Sequence, residues 1–460
     1  MPSRTREAYA SGMDARPVRP AAQRHRTFAG ILANTLLANL TTSYLWFAIT
    51  FWIYLETRNV IATGVVGGVY MLLLAVTGIG FGTLVDRYRK LAVMRWAGAA
   101  TLVMFTAAWL VYLSVPERSL SALGRPWFWV LALVVLLGAT VENLRNIALS
   151  TTVTLLIDPE LRDRANGYVG MVQGLAFLVT SVLSGLSIGL LGLGPTLLIA
   201  VGLSALALGH LAVLRMPEET RPAATDAHGG FDLRGAWTAV AAVPGLAALV
   251  LFATFNNLIG GVYLALMDPY GLELFPVEQW GLWLALGSTG FLVGGAVVGR
   301  LGLGPRPVRT LLGGVAAMGV VGALFTIREW GWLYVLGIWL YMALVPAVEA
   351  AEQTVIQAVV PLARQGRVFG LAAAVEAAAA PVTAFMVAPA AEAWIIPFAR
   401  SPAGAAALGP LLGQGSARGI ALVFLIAGTV MALAAVAAWR SPAYRRISTA
   451  WAVAGPVATT

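Results

Sequence analysis

The stretch Gly82-Thr83-Leu84-Val85-Asp86-Arg87-Tyr88-Arg89-Lys90 lies between two long apolar runs of the chain. It contains a glycine near the end of the first run, then one acid and a group of cations. A short, positively charged connection of this kind is typical of a chain that leaves the membrane in the cytosol and enters it again. The stretch therefore predicts two membrane-spanning helices joined by a tight cytosolic turn.

The composition supports a membrane protein along the whole chain. Hydrophobic residues make up 59% of the sequence, charged residues only 11%, and the mean hydropathy is +0.81. A spanning helix needs about 20 mostly apolar residues. We predict twelve spans, at residues 28–55, 61–84, 91–114, 127–157, 166–192, 195–214, 238–267, 279–300, 308–327, 332–360, 368–390 and 417–439.

The net charge of +9 reflects how the basic residues are distributed between the two membrane faces. If the N-terminus is cytosolic, 23 of the 30 basic residues fall on the cytosolic side and Arg145 falls inside a span. This asymmetry predicts that both termini are cytosolic in a multi-pass protein of the cytoplasmic membrane. The basic face is expected to meet membrane lipids, and we expect no nucleic-acid partner. The six basic residues on the other side are Arg58, Arg118, Arg125, Arg328, Arg400 and Arg418.

The charged turn resembles the loop signature of the major facilitator superfamily, which is roughly G-x-L-x-D-R-x-x-R-K. The resemblance, in particular to drug–proton antiporters with twelve helices, implies an all-α integral membrane fold. Twelve transmembrane helices would form two pseudo-symmetric six-helix bundles that rock about a central cavity, in a protein that is monomeric. The fifth span lacks the G-P-x-x-G-G sequence motif of many such antiporters. The predicted units are a cytosolic tail (1–26), a bundle (27–214), a cytosolic linker (215–236), a second bundle (237–439) and a cytosolic tail (440–460).

An internal repeat supports the division into two halves. Thr152-Val153 is followed by Pro159, Arg162, Arg164 and Gly167, and Thr354-Val355 is followed at nearly the same spacing by Pro361, Arg364, Arg367 and Gly370. Two parallel copies are what a rocking transporter requires. The second copy of the charged turn, residues 299–306, keeps glycine and arginine but lacks the acid.

The cytosolic turn is predicted to act as a gate. Asp86 lies beyond the end of the second helix, where it can interact with the N-terminal dipole of a neighbouring span, for which the eleventh is the leading candidate, and with arginines such as Arg145 or Arg162. Such contacts would hold the inner side shut in one state and break in the other. The predicted gate residues are Gly82, Asp86, Arg87, Arg89, Lys90, Arg162, Arg164, Arg364 and Arg367.

Ionisable residues inside spans are costly, about 2.5–3.5 kcal/mol each on insertion scales, so those retained require a reason. Glu142 and Arg145 share one face of the fourth span and can form a neutral pair, either structural or functional. Glu349 and Glu352 have no cation at helical spacing, so burial and mutual repulsion favour a bound proton. Arg145 could alternatively reach one of them across the cavity. The predicted proton-coupling residues are Glu142, Glu349, Glu352 and Glu376, with Arg145 as charge partner.

Helices one, four, seven and ten face the central cavity in the family that the sequence resembles. Amides and one aromatic ring in an otherwise apolar cavity suit a lipophilic or amphipathic solute. The alternative is that these amides only tie helices together. The predicted substrate-binding residues are Asn34, Asn39, Ser43, Trp46, Asn256, Asn257 and Gln353.

The sequence therefore predicts a transporter that exports lipophilic or amphipathic small molecules in exchange for protons. A lipid or lysolipid flippase on the same fold is the nearest alternative, and a transporter-like receptor or scaffold without flux is another. An enzyme is disfavoured because no nucleophile motif or cofactor fingerprint occurs, and no cofactor is expected. No metal site is expected either, because the chain has no cysteine and its histidines, His25, His210 and His228, are scattered.

Overall fold

A computed structural model describes residues 21–57, 60–216, 232–383, 390–413 and 417–454. Most of the predicted N-terminal tail and of the central linker, including His228, lies outside the described residues, and so does the end of the C-terminal tail.

The described residues form twelve long helices, which we number in chain order. Shorter helices follow or precede them at Glu117–Leu120, Pro159–Leu161, Leu233–Ala241, Ala391–Ile395, Ile396–Arg400, Pro402–Leu412 and Pro442–Ala454. The long helices are α1 (Ala21–Thr57), α2 (Val60–Arg87), α3 (Lys90–Ser114), α4 (Pro126–Leu156), α5 (Arg162–Leu191), α6 (Leu193–Val213), α7 (Leu246–Leu274), α8 (Val277–Leu301), α9 (Pro307–Leu324), α10 (Gly331–Val359), α11 (Leu362–Val382) and α12 (Arg418–Arg440).

Eleven of these helices are long and apolar enough to cross a membrane, and α11 is the exception. It carries Arg364, Arg367 and Glu376 within 21 residues. Helices α2, α4 and α7 pack around it, and most of its residues are buried or half-buried. Because protein surrounds α11 on several sides, its sequence is less constrained to be apolar than that of a lipid-facing helix.

The predicted start of the seventh span is wrong. A separate amphipathic helix, Leu233–Ala241, comes first, and α7 begins only at Leu246. The chain turns between them at Gly245, whose φ of +88° lies in the left-handed region that favours glycine. Residues 238–244 before this turn are apolar except for Thr238, so their composition concealed the break.

The helices pack as two copies of one six-helix arrangement. Within the first half, α1 packs on α5, α2 on α4, and α3 on both α4 and α6. Within the second half, α7 packs on α11, α8 on α10, and α9 on both α10 and α12. The main contacts between the halves are made by α2 with α11 and by α5 with α8, which are also related by the repeat. The fold is the predicted all-α membrane fold of two pseudo-symmetric bundles.

Glycines allow the two halves to approach at backbone distance. A Cβ atom added at Gly82 would collide with the backbone oxygen of Gly366, and one added at Gly78 would lie 2.8 Å from the backbone oxygen of Gly370. In the other contact, a Cβ atom at Gly295 would lie 2.6 Å from the backbone nitrogen of Met171. Small residues at four-residue spacing are a common device for close helix packing in membranes.

We predict that Gly82→Ala destabilises the protein, whereas Gly202→Ala does not. Gly82 is buried against α11, so the added methyl group forces the helices apart at a cost of about 1–3 kcal/mol. Gly202 is exposed on α6 with open space around it, and alanine there gains up to about 1 kcal/mol of helix propensity. The free energy of unfolding in a detergent titration measures both effects. Equal stability of the two variants would contradict the close α2–α11 contact.

Candidate functional site

A cavity of about 280 Å³ lies between the halves, where α4, α5, α7, α9, α10 and α11 meet. We call it the polar cavity, because amide, hydroxyl and carboxyl groups form much of its wall. The α4 and α5 helices contribute Asn143, Asn146, Ser150 and Gln173, and α7, α10 and α11 contribute Asn256, Asn257, Glu349, Glu352, Gln353 and Glu376.

A second cavity of about 210 Å³ adjoins the first. Both are lined by Asn256, Asn257, Val348 and Glu349. We call the second one the aromatic chamber, because its remaining wall is made mainly of rings and thioethers. These side chains are Tyr263, Met267, Phe291, Met318, Tyr341 and Met342.

Two carboxyl groups in the polar cavity lie close to each other. Glu376 on α11 lies within hydrogen-bond reach of Glu352 on α10 and of Asn257 on α7. An ionised carboxylate can only accept hydrogen bonds, so a bond between two carboxyl groups requires one proton between them. A proton shared by the two side chains would therefore lie between two helices of the C-terminal half.

The walls of the two cavities carry acids but no base. The carboxyl groups of Glu349, Glu352 and Glu376 contribute to the lining, and none of the residues that line either cavity is Arg, Lys or His. The cavity therefore has a negative potential unless its acids are protonated. Within the described ranges, His, Asp and Glu form no group of three or more arranged to hold a metal ion.

Glu142 and Arg145 do not face this cavity, contrary to the prediction for α4. The ion pair between Arg145 Nε and Glu142 Oε1 measures 3.0 Å, and both side chains are about 95% buried. Arg145 Nη1 donates to Asn34 Oδ1 on α1 at 2.7 Å, so Arg145 does not reach across to the α10 acids. The pair lines a small internal space between α1, α3, α4 and α6.

The predicted substrate residues divide into two groups. Asn256, Asn257 and Gln353 line the polar cavity as predicted, but the residues of α1 do not. Asn34 is buried and donates to the backbone oxygen of Ala207 at 2.7 Å. Trp46 packs on Tyr70 of α2 with ring centroids 4.5 Å apart, and the half-buried Asn39 and Ser43 line neither cavity.

At the predicted cytosolic face, Asp86 binds the N-terminus of α11. Its two carboxylate oxygens accept hydrogen bonds from the backbone N–H groups of Gly366 (2.6 Å) and Arg367 (3.0 Å). Gly366 and Arg367 are the fifth and sixth residues of α11, so the carboxylate lies near the positive end of the helix dipole. The contact therefore joins α2 of one half to α11 of the other, as the sequence predicted.

Arg367 connects this contact to the end of the central linker. Its Nη1 lies 3.0 Å from Asp232 Oδ2, and its Nε lies 3.8 Å from Asp86 Oδ2. Asp232 also accepts a hydrogen bond from the N–H of Gly235 at 2.7 Å and so caps the short helix before α7. Arg367 is thus shared between carboxylates from both halves.

A second contact between the halves, which the sequence did not predict, also uses an aspartate. The second charged turn lacks an acid, and Asp163 of the other half supplies one. Asp163 on α5 accepts a hydrogen bond from the backbone N–H of Leu303, just beyond α8, at 2.7 Å. The carboxylate fits there because Gly302 has no Cβ atom and a φ of +77°. In this contact the acid lies on α5 and not in the turn that follows α8. A comparison of the two charged turns therefore did not reveal it.

Amide side chains form a third connection between the halves, also missed from the sequence. Asn166 Nδ2 on α5 donates to Thr354 Oγ1 (2.8 Å) and to Gln357 Oε1 (2.9 Å) on α10. Gln357 Nε2 donates to the backbone oxygen of Ser150 on α4 at 2.9 Å. The signal in the sequence was the polarity of Asn166 and Gln357 within apolar helices, close to the repeated loop.

The remaining predicted gate cations differ in their surroundings. Arg162 donates to the backbone oxygen of Gln357 across the halves at 3.3 Å. Lys90 is largely buried, with Nζ 3.4 Å from the backbone oxygen of Tyr88. Exposed positions are occupied by Arg87, Arg89, Arg164 and Arg364.

Comparison with known proteins places the chain among membrane transporters. A sequence model described as the Major Facilitator Superfamily matches residues 31–384. The human protein described as solute carrier family 67 member A1 is 27% identical over 226 residues, which cover 46% of this chain and 52% of that protein. The chain thus matches about half the length of this curated relative.

Solved structures with the same fold cover nearly the whole chain. A bacterial homologue of the iron transporter ferroportin in an outward-facing state has a TM-score of 0.66 at 16% identity, covering 92% of this chain and 99% of that one. The human organic anion transporter MFSD10 has a TM-score of 0.64 at 16% identity, covering 89% and 99%. At these identities the likeness concerns the fold alone.

We predict that Glu142 and Arg145 stabilise the N-terminal half as a pair. Arg145→Met leaves a buried carboxylate without its cation and is expected to cost about 3–5 kcal/mol of unfolding free energy. Adding Glu142→Gln to that variant is expected to restore most of the loss, as measured by detergent titration. The opposite pattern, in which Glu142→Gln alone preserves stability but abolishes transport, would identify Glu142 as functional.

We predict that Asp86→Asn and Asp163→Asn each open the predicted cytosolic face. A hydrogen bond to a charged group contributes about 1.5–3 kcal/mol, so the open population should rise roughly 10- to 100-fold. The chain has no cysteine, so an Ala373→Cys reporter in the polar cavity provides a single thiol for labelling. The rate of modification by an impermeant maleimide added at that face measures the opening.

Arg87→Gln, at an exposed position of the same turn, is the matched control and should leave the labelling rate unchanged. Unchanged labelling in both aspartate variants would show that these contacts do not close the face.

Proposed function

Because the chain belongs to the Major Facilitator Superfamily, a family of multi-pass membrane transporters, we propose that it exports lipophilic or amphipathic small molecules in exchange for protons. Transport by alternating access would move the two helix halves about the polar cavity. The proposed location is the cytoplasmic membrane with both termini in the cytosol, in line with the distribution of basic residues.

The observation that carries the proposal is the Glu352–Glu376 carboxyl pair in a cavity between the halves. A proton-coupled carrier needs a group that binds a proton in the absence of substrate and releases it when substrate or water enters. A proton shared by this pair would meet the first condition. A bound solute or a change in hydration that separates α10 from α11 would break the hydrogen bond between the carboxyl groups and supply the second.

The contacts at the predicted cytosolic face support a state in which this side is closed. Asp86, Asp163 and the Asn166–Gln357 amides all join one half to the other near the ends of α2, α5, α8 and α10. The aromatic chamber extends from the polar cavity along α7 and α10, away from these contacts. Export then follows if substrate enters when the three contacts break and leaves when they form again.

The aromatic chamber supports an amphipathic substrate. Its rings and thioethers offer apolar contact and adapt to different shapes, since methionine side chains are flexible. The adjoining amides and carboxyl groups supply a few polar contacts to one end of the solute. A cavity without a basic side chain is poorly suited to an organic acid.

We predict substrate-dependent proton movement in proteoliposomes that contain a pH-sensitive dye. Lipophilic cations, neutral drugs and lysolipids form the panel. The wild-type protein should exchange protons for at least one compound, and Glu352→Gln and Glu376→Gln should each reduce that exchange at least tenfold, because neither amide can take up the exchanged proton.

Glu117→Gln, which removes an exposed acid outside the long helices, is the control and should leave the exchange intact. Proton movement that persists in both carboxyl variants would contradict the coupling role. Transbilayer movement of lysolipid without any proton movement would instead favour a flippase.

A further inference from the structure

The three carboxyl groups of the polar cavity are not equivalent in position. Glu349 lines both the polar cavity and the aromatic chamber, whereas Glu352 and Glu376 line the polar cavity alone. Glu349 is therefore the carboxyl group that an apolar solute in the aromatic chamber would meet first.

They also differ in their hydrogen bonds. Glu352 and Glu376 lie within hydrogen-bond reach of each other, and Glu376 also of Asn257. Glu349 makes no hydrogen bond or ion pair with any residue in the described ranges. Two of the three acids thus lie next to each other, and the third is available to an incoming group.

A second acceptor without a partner lies at the junction between the polar cavity and the aromatic chamber. Asn256 also lines both cavities, and its buried side-chain oxygen has no donor among the described residues. A buried acceptor without a donor is unfavourable, and a bound donor would remove that cost. The junction therefore presents a carboxylate and an amide oxygen, and both are suited to N–H donors that carry positive charge.

The apolar side of the junction favours the same ligand. The rings of Tyr263, Phe291 and Tyr341 line the chamber, and ring faces attract cations within about 6 Å. The other titratable groups in the lining are Tyr263 and Tyr341, and none of the lining side chains would repel a cation. A positive charge buried without an opposite charge would be strongly unfavourable, and Glu349 is the carboxyl group that lines the chamber.

We propose that Glu349 is the residue that selects substrate charge and binds the protonated nitrogen of an amphipathic amine whose apolar part lies in the aromatic chamber. The Glu352–Glu376 pair carries the exchanged proton separately. This assignment rests on the proposed function and adds to it a substrate class and a division of roles among the acids.

The test uses two probes that share a skeleton, 3,3-diphenylpropylamine and its N-acetyl derivative. The amine is protonated near neutral pH, like a lysine side chain, whereas the amide is neutral. Calorimetric titration of the purified full-length protein measures binding, and a dye in weak buffer measures proton release. Wild-type protein is expected to bind the amine at least tenfold more tightly than the amide and to release a proton as it does so.

Glu349→Gln should abolish this preference, and Glu349→Asp, which keeps the charge, should retain it. Glu376→Gln should retain the preference but lose the proton release. A monodisperse gel-filtration profile for each variant separates these effects from misfolding. Equal binding of the two probes by wild-type protein, binding of neither, or a preference that survives Glu349→Gln would overturn the assignment.

The two proposals fail in different ways. Amine-driven proton exchange in proteoliposomes that is equal in wild type and Glu349→Gln would overturn the role of Glu349 and leave the proposed function intact. An amine preference that depends on Glu349, without proton exchange for any compound, would support the binding role and overturn the proposed function.

Discussion

Backbone contact between α2 and α11, and between α5 and α8, is the constraint on which the rest of the structure depends. Glycines on these helices let the two halves meet without intervening side chains. Only at that distance can the carboxylates of Asp86 and Asp163 reach backbone N–H groups of the opposite half. The same contact closes one end of the space between the halves and so defines the polar cavity.

Ionisable residues inside the membrane-spanning helices indicate where the structure or the function of the protein requires a charge. Each ionisable group inside a span carries a cost, and the structure offsets it in two ways. Glu142 and Arg145 neutralise each other within one half, which leaves them no evident part in motion between the halves. Glu352 and Glu376 are close enough to share a proton between two helices, an arrangement that movement of α10 relative to α11 would disturb.

Much of the fold could be predicted from the sequence, because span length, the charged turn and the distribution of arginine depend on local composition. The orientation of helices could not. The spacing of Glu142 and Arg145 places them on one face of α4, but α4 also carries Asn143, Asn146 and Ser150, so spacing does not tell which polar face meets the cavity. The start of α7 was missed because residues 238–244, which lead from the preceding helix to Gly245, are apolar except for Thr238. Asp163 was missed because its partner is a backbone group more than 130 residues away.

The two aspartate contacts between the halves, made by Asp86 and Asp163, use the repeated helices in opposite roles. In one, the acid ends α2 and the donors begin α11, while in the other the acid begins α5 and the donor follows α8. Two copies of the N-terminal half placed together would bring Asp86 against Asp163, acid against acid. Two copies of the C-terminal half would bring donors together without an acid. At these two contacts each half is therefore complementary to the other half and not to a copy of itself. The two copies of the repeat have diverged so that they pair only with each other.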